Sequence, residues 1–219
     1  AVIEVNNPAT GEIIGSVPAL GADETRQAIE AADAAWPAWR ARTGKDRATI
    51  MRAWFDLMLE NKDDLAIIMT SEQGKPLPES AAEIGYAASF IEWFAEEAKR
   101  IYGDVIGDPM PGSRILVYRE PIGVVASITT WNFPAAMITR KCAPAMAAGC
   151  PVVIRPASQT PFSALALAEL AHRAGIPQGV VNVITGPSGA MGGELTSNPI
   201  VRKLSFTGST EVGKILMEQ

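Results

Sequence analysis

The chain has 219 residues, of which 47% are hydrophobic and 20% charged, and its formal net charge is −5. Such a balance supplies the core of one large or two small domains and argues against nucleic acid, which rewards clustered Lys and Arg. No apolar run nears the ~18 residues that cross a bilayer, and the opening "AVIEVNNPATGE" lacks the basic-then-apolar pattern of a signal peptide, so a cytoplasmic protein without membrane partners is expected.

In chain order, "VNNPATGEIIGSVP" places two short apolar runs around a Pro-Ala-Thr-Gly turn, which predicts a β-hairpin. Asp23 is expected to cap a helix over "DETRQAIEAADAAW", with Ile29, Ala32 and Trp36 on its inner face and Pro37 breaking or kinking it. A second helix is expected from Lys45 to Thr70, with Ile50, Trp54, Leu57, Met58 and Leu65 on one side. A third is expected from Pro78 to Ile101. Its aromatics Tyr86, Phe90, Trp93 and Phe94 fall three or four apart, the spacing of a core or interface stripe.

From Tyr102 to Glu120 the character changes. Gly103, Gly107, Pro109, Pro111 and Gly112 interrupt the segment, and "RILVYRE" alternates, predicting a hairpin with one strand half exposed. Beyond it, short apolar runs ("GVVASI", "PVVIRP", "GVVNVIT", "VRKLSF") alternate with helical stretches at Ala135–Ala148, Pro161–Ala174, Gly189–Thr196 and after Ser209. That rhythm means βαβ units. The fold expected is α/β: a Rossmann-like parallel sheet with flanking helices, a helical N-terminal layer over residues 1–101, a protruding hairpin at 102–120 and a βαβ core at 121–219.

Cys142 and Cys150 fit neither a disulfide framework nor a paired metal site, and His172 is the one histidine, so no metal is expected. Both cysteines read as small buried residues, and His172 as a surface or capping residue. The chemistry gathers instead at strand ends. "FTGSTEVGK" joins a strand to a helix whose first turn attracts anions. Gly208 permits close backbone approach, Ser209 caps and can donate to a phosphate, and Gly213 allows tight packing. The usual Gly-x-Gly-x-x-Gly spacing is absent. "TTWNFP" and "RPASQTP" end two other strands on the edge where parallel sheets bind ligands. There Asn132 offers an amide donor suited to a polarised oxygen, and Arg155 with Ser158 offers a charged fork and a hydroxyl.

"TWNFPAAMITRK", "IRPASQTPFSALALAELA" and "LSFTGSTEVGK", in this order and spacing, resemble the NAD(P)-dependent aldehyde dehydrogenases, nearest the branch that oxidises succinate semialdehyde. The resemblance spans the chain, from "NNPATGEIIGSVP" through "EQGKP" and "SFIEWFAEEAKRIYG". It implies that the amide of Asn132 holds an oxyanion and that Trp131 and Asn132 line the nicotinamide. It further implies that Arg155, Pro156, Ala157 and Ser158 contact the adenosine ribose or its 2′-phosphate, that Gly208 and Ser209 lie near the pyrophosphate, and that Arg140 holds a substrate carboxylate. The 102–120 hairpin matches part of the family's oligomerisation region, implying a homo-oligomer. Ser158 stands where NAD-preferring relatives often carry a glutamate, so with Arg155 beside it NADP is expected ahead of NAD.

Three departures from the family pattern stand out. Arg155 replaces a lysine, Thr130 replaces a proline, and the family's nucleophilic cysteine and general-base glutamate fall past Gln219. The chain alone is therefore expected to be an inactive N-terminal portion of such an enzyme. It is also expected to associate or aggregate through under-covered apolar positions such as Val201, Leu204, Ile215 and Leu216. The alternative is a non-catalytic nucleotide-binding or interaction module that keeps the Arg155, Ser158 and Gly208 cluster.

Overall fold

The computed structural model describes residues 1–108 and 110–219; Pro109, one of the predicted interruptions of the hairpin, lies outside them. The chain opens with the antiparallel pair β1 (Val2–Asn6) and β2 (Ile13–Pro18), as its turn chemistry predicts. Helices α1 (Ala22–Arg40), α2 (Gly44–Glu60), α3 (Lys62–Gln73) and α4 (Leu77–Glu97) follow, and a 3-10 turn at Ala98–Arg100 ends this part. A second antiparallel pair, β3 (Asp104–Ile106) and β4 (Ile115–Val117), precedes β5 (Val124–Ile128), α5 (Ala136–Ala147), β6 (Val152–Arg155) and α6 (Pro161–Arg173). The chain ends with β7 (Val181–Val183), α7 (Ser188–Ser197), β8 (Val201–Phe206) and α8 (Thr210–Glu218). Among the described residues no helix is long and apolar enough to cross a membrane.

The four strands β5 to β8 form one parallel sheet in the order β7-β6-β5-β8. The period of two along a strand divides its side chains between two cores. Val125, Val152 and Ile154 join the larger one with α2 to α6, whereas Val124, Ala126, Ile128 and Val153 join α1 and α7. Helices from the first hundred residues thus cover both faces of the sheet.

Several local expectations are corrected. Gly21, not Asp23, is the N-cap of α1, with its N–H donating to the Glu24 carboxylate at 2.7 Å. Pro37 does not end α1, which runs on to Arg40. Trp39 is the fully buried tryptophan of that helix and Trp36 is half-buried, because the face turned to the core is set by Ile29, Ala32 and Trp39. The predicted Lys45–Thr70 helix is two helices broken at Asn61, whose side chain donates to the Leu57 carbonyl at 2.8 Å and competes with helix continuation. The aromatic stripe of α4 divides: Tyr86 and Trp93 are exposed, Trp93 to 65%, whereas Phe90 and Phe94 are half-buried against the core that Ile84, Ala87, Ala88 and Ile91 fill. Both strands of the 102–120 hairpin are exposed throughout, not one. In keeping with the expected partial cover, Ile215 is exposed and Val201, Leu204 and Leu216 are half-buried.

The outer helices also supply polar partners to the ends of the sheet helices. The Trp39 indole donates to the Met146 carbonyl at 3.1 Å and Arg47 to the Ala147 carbonyl at 3.0 Å, both in the last turn of α5. The Trp54 indole also donates to the Leu167 carbonyl at 3.1 Å, this one in the middle of α6. At the opposite ends, Glu83 accepts from the Ala135 and Ala136 amides at 3.0 and 3.2 Å, and Glu72 from those of Phe162 and Ser163 at 2.7 and 2.8 Å. These amides begin α5 and α6, where N–H groups lack intrahelical partners.

Candidate functional site

The carboxyl ends of β5, β6 and β8 meet at one edge. The Thr129 amide donates to the Arg155 carbonyl at 3.2 Å and the Thr207 amide to the Ile128 carbonyl at 3.1 Å. Above them opens a cleft of about 400 Å³ whose walls include Trp131, Arg155, Ala157, Ser158, Gly208 and Ser209. Six residues far apart in the sequence come together because parallel strands deliver their loops to the same edge. Asn132, Pro156 and Arg140 do not line this cleft.

Each wall has its own chemistry. Ser209 is the N-cap of α8, its hydroxyl accepting from the Val212 amide at 3.3 Å, so its own proton remains free to donate. The first turn of α8 and its dipole face the cleft. At Gly208 a Cβ would lie 2.3 Å from the Phe206 ring, so the glycine serves the folding of that ring over the turn as well as any ligand. At Gly213 a Cβ would lie 3.3 Å from the same ring, tighter than ordinary van der Waals contact.

Arg155 is half-buried. One guanidinium nitrogen donates to the Gly186 carbonyl at 3.2 Å, and burial lowers its pKa from the ordinary arginine value. Its Nε and the hydroxyl of Thr129 are buried without a hydrogen-bond partner among the described residues, and both residues line the cleft. Unpaired buried donors of this kind call for a partner.

Asn132 stands exposed at the rim. Its Oδ1 accepts from the Thr130 hydroxyl at 2.6 Å, which occupies the acceptor end of the amide and leaves the donor end, Nδ2, without a hydrogen-bond partner among the described residues. The Asn132 carbonyl accepts from the Lys75 ammonium at 2.9 Å. Lys75 in turn pairs with Glu83, side chains that are 10% and 2% exposed, and lies 4.5 Å from the Phe133 ring centroid. Gly74 makes this possible: it ends α3 in the left-handed region at φ 86°, and a Cβ there would meet Pro8 at 2.7 Å.

Arg140, on α5, lies beside α4. It donates to the Tyr86 hydroxyl at 2.6 Å and sits 4.9 Å from the Phe90 ring centroid. It borders a second cleft of about 280 Å³ together with Lys141, Lys203 and Glu120. Lys141 links the two clefts, since its buried ammonium donates to the Thr207 hydroxyl. Burial first, and the neighbouring Arg140 second, lower the pKa of Lys141.

Burial pushes the Cys142 thiol up to about 12, which keeps it protonated at neutral pH, and Cys150 is also buried. His172 is exposed in the last turn of α6.

Sequence reasoning missed Glu72, Lys75, Glu83 and Lys141. A signal existed for two of them. Glu72 follows Met69 by three residues and Glu83 precedes Ala87 by four, so each carboxylate falls on the apolar face of its helix. A charge in such a place implies a buried partner.

A parallel sheet with helices on both faces and an anion-receptive cleft at its carboxyl edge is the architecture of a Rossmann-like α/β domain. The model of the aldehyde dehydrogenase family matches residues 1–219, and the chain belongs to that family. It is 70% identical over 217 residues to a glutarate-semialdehyde dehydrogenase of Pseudomonas aeruginosa, covering 99% of this chain and 45% of the relative. It is 69% identical over 217 residues to an NADP(+) succinate-semialdehyde dehydrogenase of Escherichia coli K12, with the same coverage. A crystal structure of an NADP-dependent enzyme from E. coli superposes with a TM-score of 0.99 at 68% identity, covering all of this chain and 45% of the other. The chain therefore spans about 45% of the length of these relatives, their N-terminal part.

Proposed function

We propose that the chain is the N-terminal part of an NAD(P)-dependent dehydrogenase that oxidises a short aldehyde bearing a distal carboxylate, of the succinate or glutarate semialdehyde type. The observation that carries this reading is the single cleft that gathers Trp131, Arg155, Ala157, Ser158, Gly208 and Ser209 at the carboxyl edge of the sheet. The similarity to semialdehyde dehydrogenases over nearly the whole chain supports it.

The residues fit a dinucleotide. Ser209 and the amides of the first turn of α8 would hold the pyrophosphate, while Arg155 and Ser158, with Pro156 and Ala157 between them, would hold the adenosine ribose. The unpaired Nε of Arg155, and a side chain of no charge at Ser158, favour a 2′-phosphate. NADP is therefore the proposed cofactor, ahead of NAD. When bound, it supplies the acceptor for the hydride that leaves the substrate. Trp131 would flank the nicotinamide.

Asn132 would donate from Nδ2 to the oxygen on which negative charge develops as the aldehyde carbon becomes tetrahedral. A single preorganised donor of this kind lowers such a barrier by roughly 3–4 kcal/mol. Arg140 would hold the distal carboxylate and so fix the reacting carbon. The protonated state of Cys142 speaks against it as the nucleophile.

The residues fall into a cofactor-binding body at 1–101 and 121–219, with 102–120 as the arm through which copies assemble. Exposure of all six strand residues of that arm supports this division. A cytoplasmic location fits this reading.

The substrate test is Arg140→Gln in the full-length protein. KM for succinate semialdehyde is expected to rise at least about tenfold, the worth of about 1.4 kcal/mol, while KM for an uncharged aldehyde of similar length stays put. Equal losses on both would make Arg140 a structural residue.

A further inference from the structure

The stretch around Asn132 is tied down more firmly than a loop at a cleft rim requires. On its N-terminal side the Thr130 hydroxyl donates to Asn132 Oδ1 at 2.6 Å. At Asn132 itself the backbone carbonyl accepts from Lys75 at 2.9 Å. Three and four residues on, the Ala135 and Ala136 amides donate to one oxygen of Glu83, and the other oxygen of that carboxylate takes the Lys75 ammonium. Glu83 is buried and Lys75 keeps only a tenth of its side chain exposed, so their charges lean on each other and on this loop.

These contacts divide the task of orienting an amide. An Asn side chain has two faces of opposite character, an acceptor oxygen and a donor nitrogen, and rotation by half a turn exchanges them. The Thr130 hydroxyl is paired to the oxygen, and that pairing leaves Nδ2–H as the end of the amide free to donate. The Lys75–Glu83 pair acts on the backbone and sets where the side chain starts.

We propose that Lys75, Glu83 and Thr130 are positioning residues for Asn132: the buried ion pair of α4 and the α3–α4 turn clamps its backbone, and Thr130 selects the face its amide presents. This rests on the reading of Asn132 as the oxyanion donor, and the test separates the two.

Two measurements decide it. In the full-length protein labelled with 15N-asparagine, Thr130→Val should shift the two Asn132 side-chain N–H signals and speed their exchange. In the uniformly labelled protein, Glu83→Gln and Lys75→Met should speed exchange of the Ala135 and Ala136 amides by about tenfold or more. In the full-length enzyme, Thr130→Val should lower kcat by about fivefold, the worth of one ordinary hydrogen bond, with KM within about twofold. Thr130→Ser, which keeps the hydroxyl, should restore both readouts, and Thr130→Val should cost nothing further once Asn132 is alanine.

Unchanged Asn132 signals in Thr130→Val, or an undiminished loss of kcat in the Asn132→Ala background, would overturn the proposal. An Asn132→Ala enzyme with full kcat would remove the oxyanion reading instead. The side-chain signals and amide exchange would then decide the positioning on their own.

Discussion

Glu72 offers a pH-dependent test of how the outer helices hold the sheet helices. It reaches from α3 to the first turn of α6, where its two oxygens accept from the Phe162 and Ser163 amides at 2.7 and 2.8 Å, and it is 2% exposed. Burial raises its pKa from 4.5 to about 7, opposed by those hydrogen bonds. Because the folded value lies above the unfolded one, the folded chain holds a proton that the unfolded chain has released between them. Stability is therefore greatest below 4.5, falls as pH rises toward about 7, and levels off above it. At about 1.4 kcal/mol per pH unit the full interval from 4.5 to about 7 amounts to roughly 3 kcal/mol. Urea unfolding of the chain and of Glu72→Gln, followed by tryptophan fluorescence from about pH 5 to pH 8, isolates this contribution. Near pH 5 the wild type should be the more stable by about 1–2 kcal/mol, because the amide turns a donor toward one backbone N–H. That advantage should shrink or reverse by pH 8. An advantage that is flat, or that grows with pH, would refute the reasoning: the ionised carboxylate at a helix N-terminus would then gain more than burial costs it.

Gly74→Ala should destabilise the chain by about 1–3 kcal/mol, from the strained φ of 86° and the 2.7 Å approach to Pro8, as read by the urea midpoint. Trp39→Phe removes the buried donor to the Met146 carbonyl while keeping most of the ring volume, and should cost about 1–3 kcal/mol in the same assay. Arg155→Leu should weaken NADP binding by at least about tenfold, or about 1.4 kcal/mol, and NAD binding far less. Calorimetric titration of both cofactors checks it, and equal losses would place Arg155 on the ribose or the fold instead of the 2′-phosphate.

The local pattern of this chain carried most of its secondary structure and the edge where the loops of the parallel strands gather. Short buried runs such as "GVVASI" and "PVVIRP" alternate with helices, and that alternation fixes a parallel sheet whose strand ends share one edge, so Arg155, Ser158, Gly208 and Ser209 were legible as a cluster; Asn132, read beside them, does not line the cleft, and Trp131, which does, came from the family resemblance. What depends on contacts across the fold was not. Trp36 and Trp39 are equally apolar, and only packing against α5 decides that Trp39 is the buried one. The outward turn of Tyr86 and Trp93 follows from the small residues Ala87 and Ala88, which let α4 lie close to α5 on the other side. Glu72, Glu83 and Lys75 look like ordinary charges in the sequence. Their partners are 90, 52 and 57 residues away, at amides and a carbonyl that carry no side-chain signature at all. Periodicity reports which face of an element is apolar, but a backbone group's need for a partner appears only when the helix ends are brought together in space.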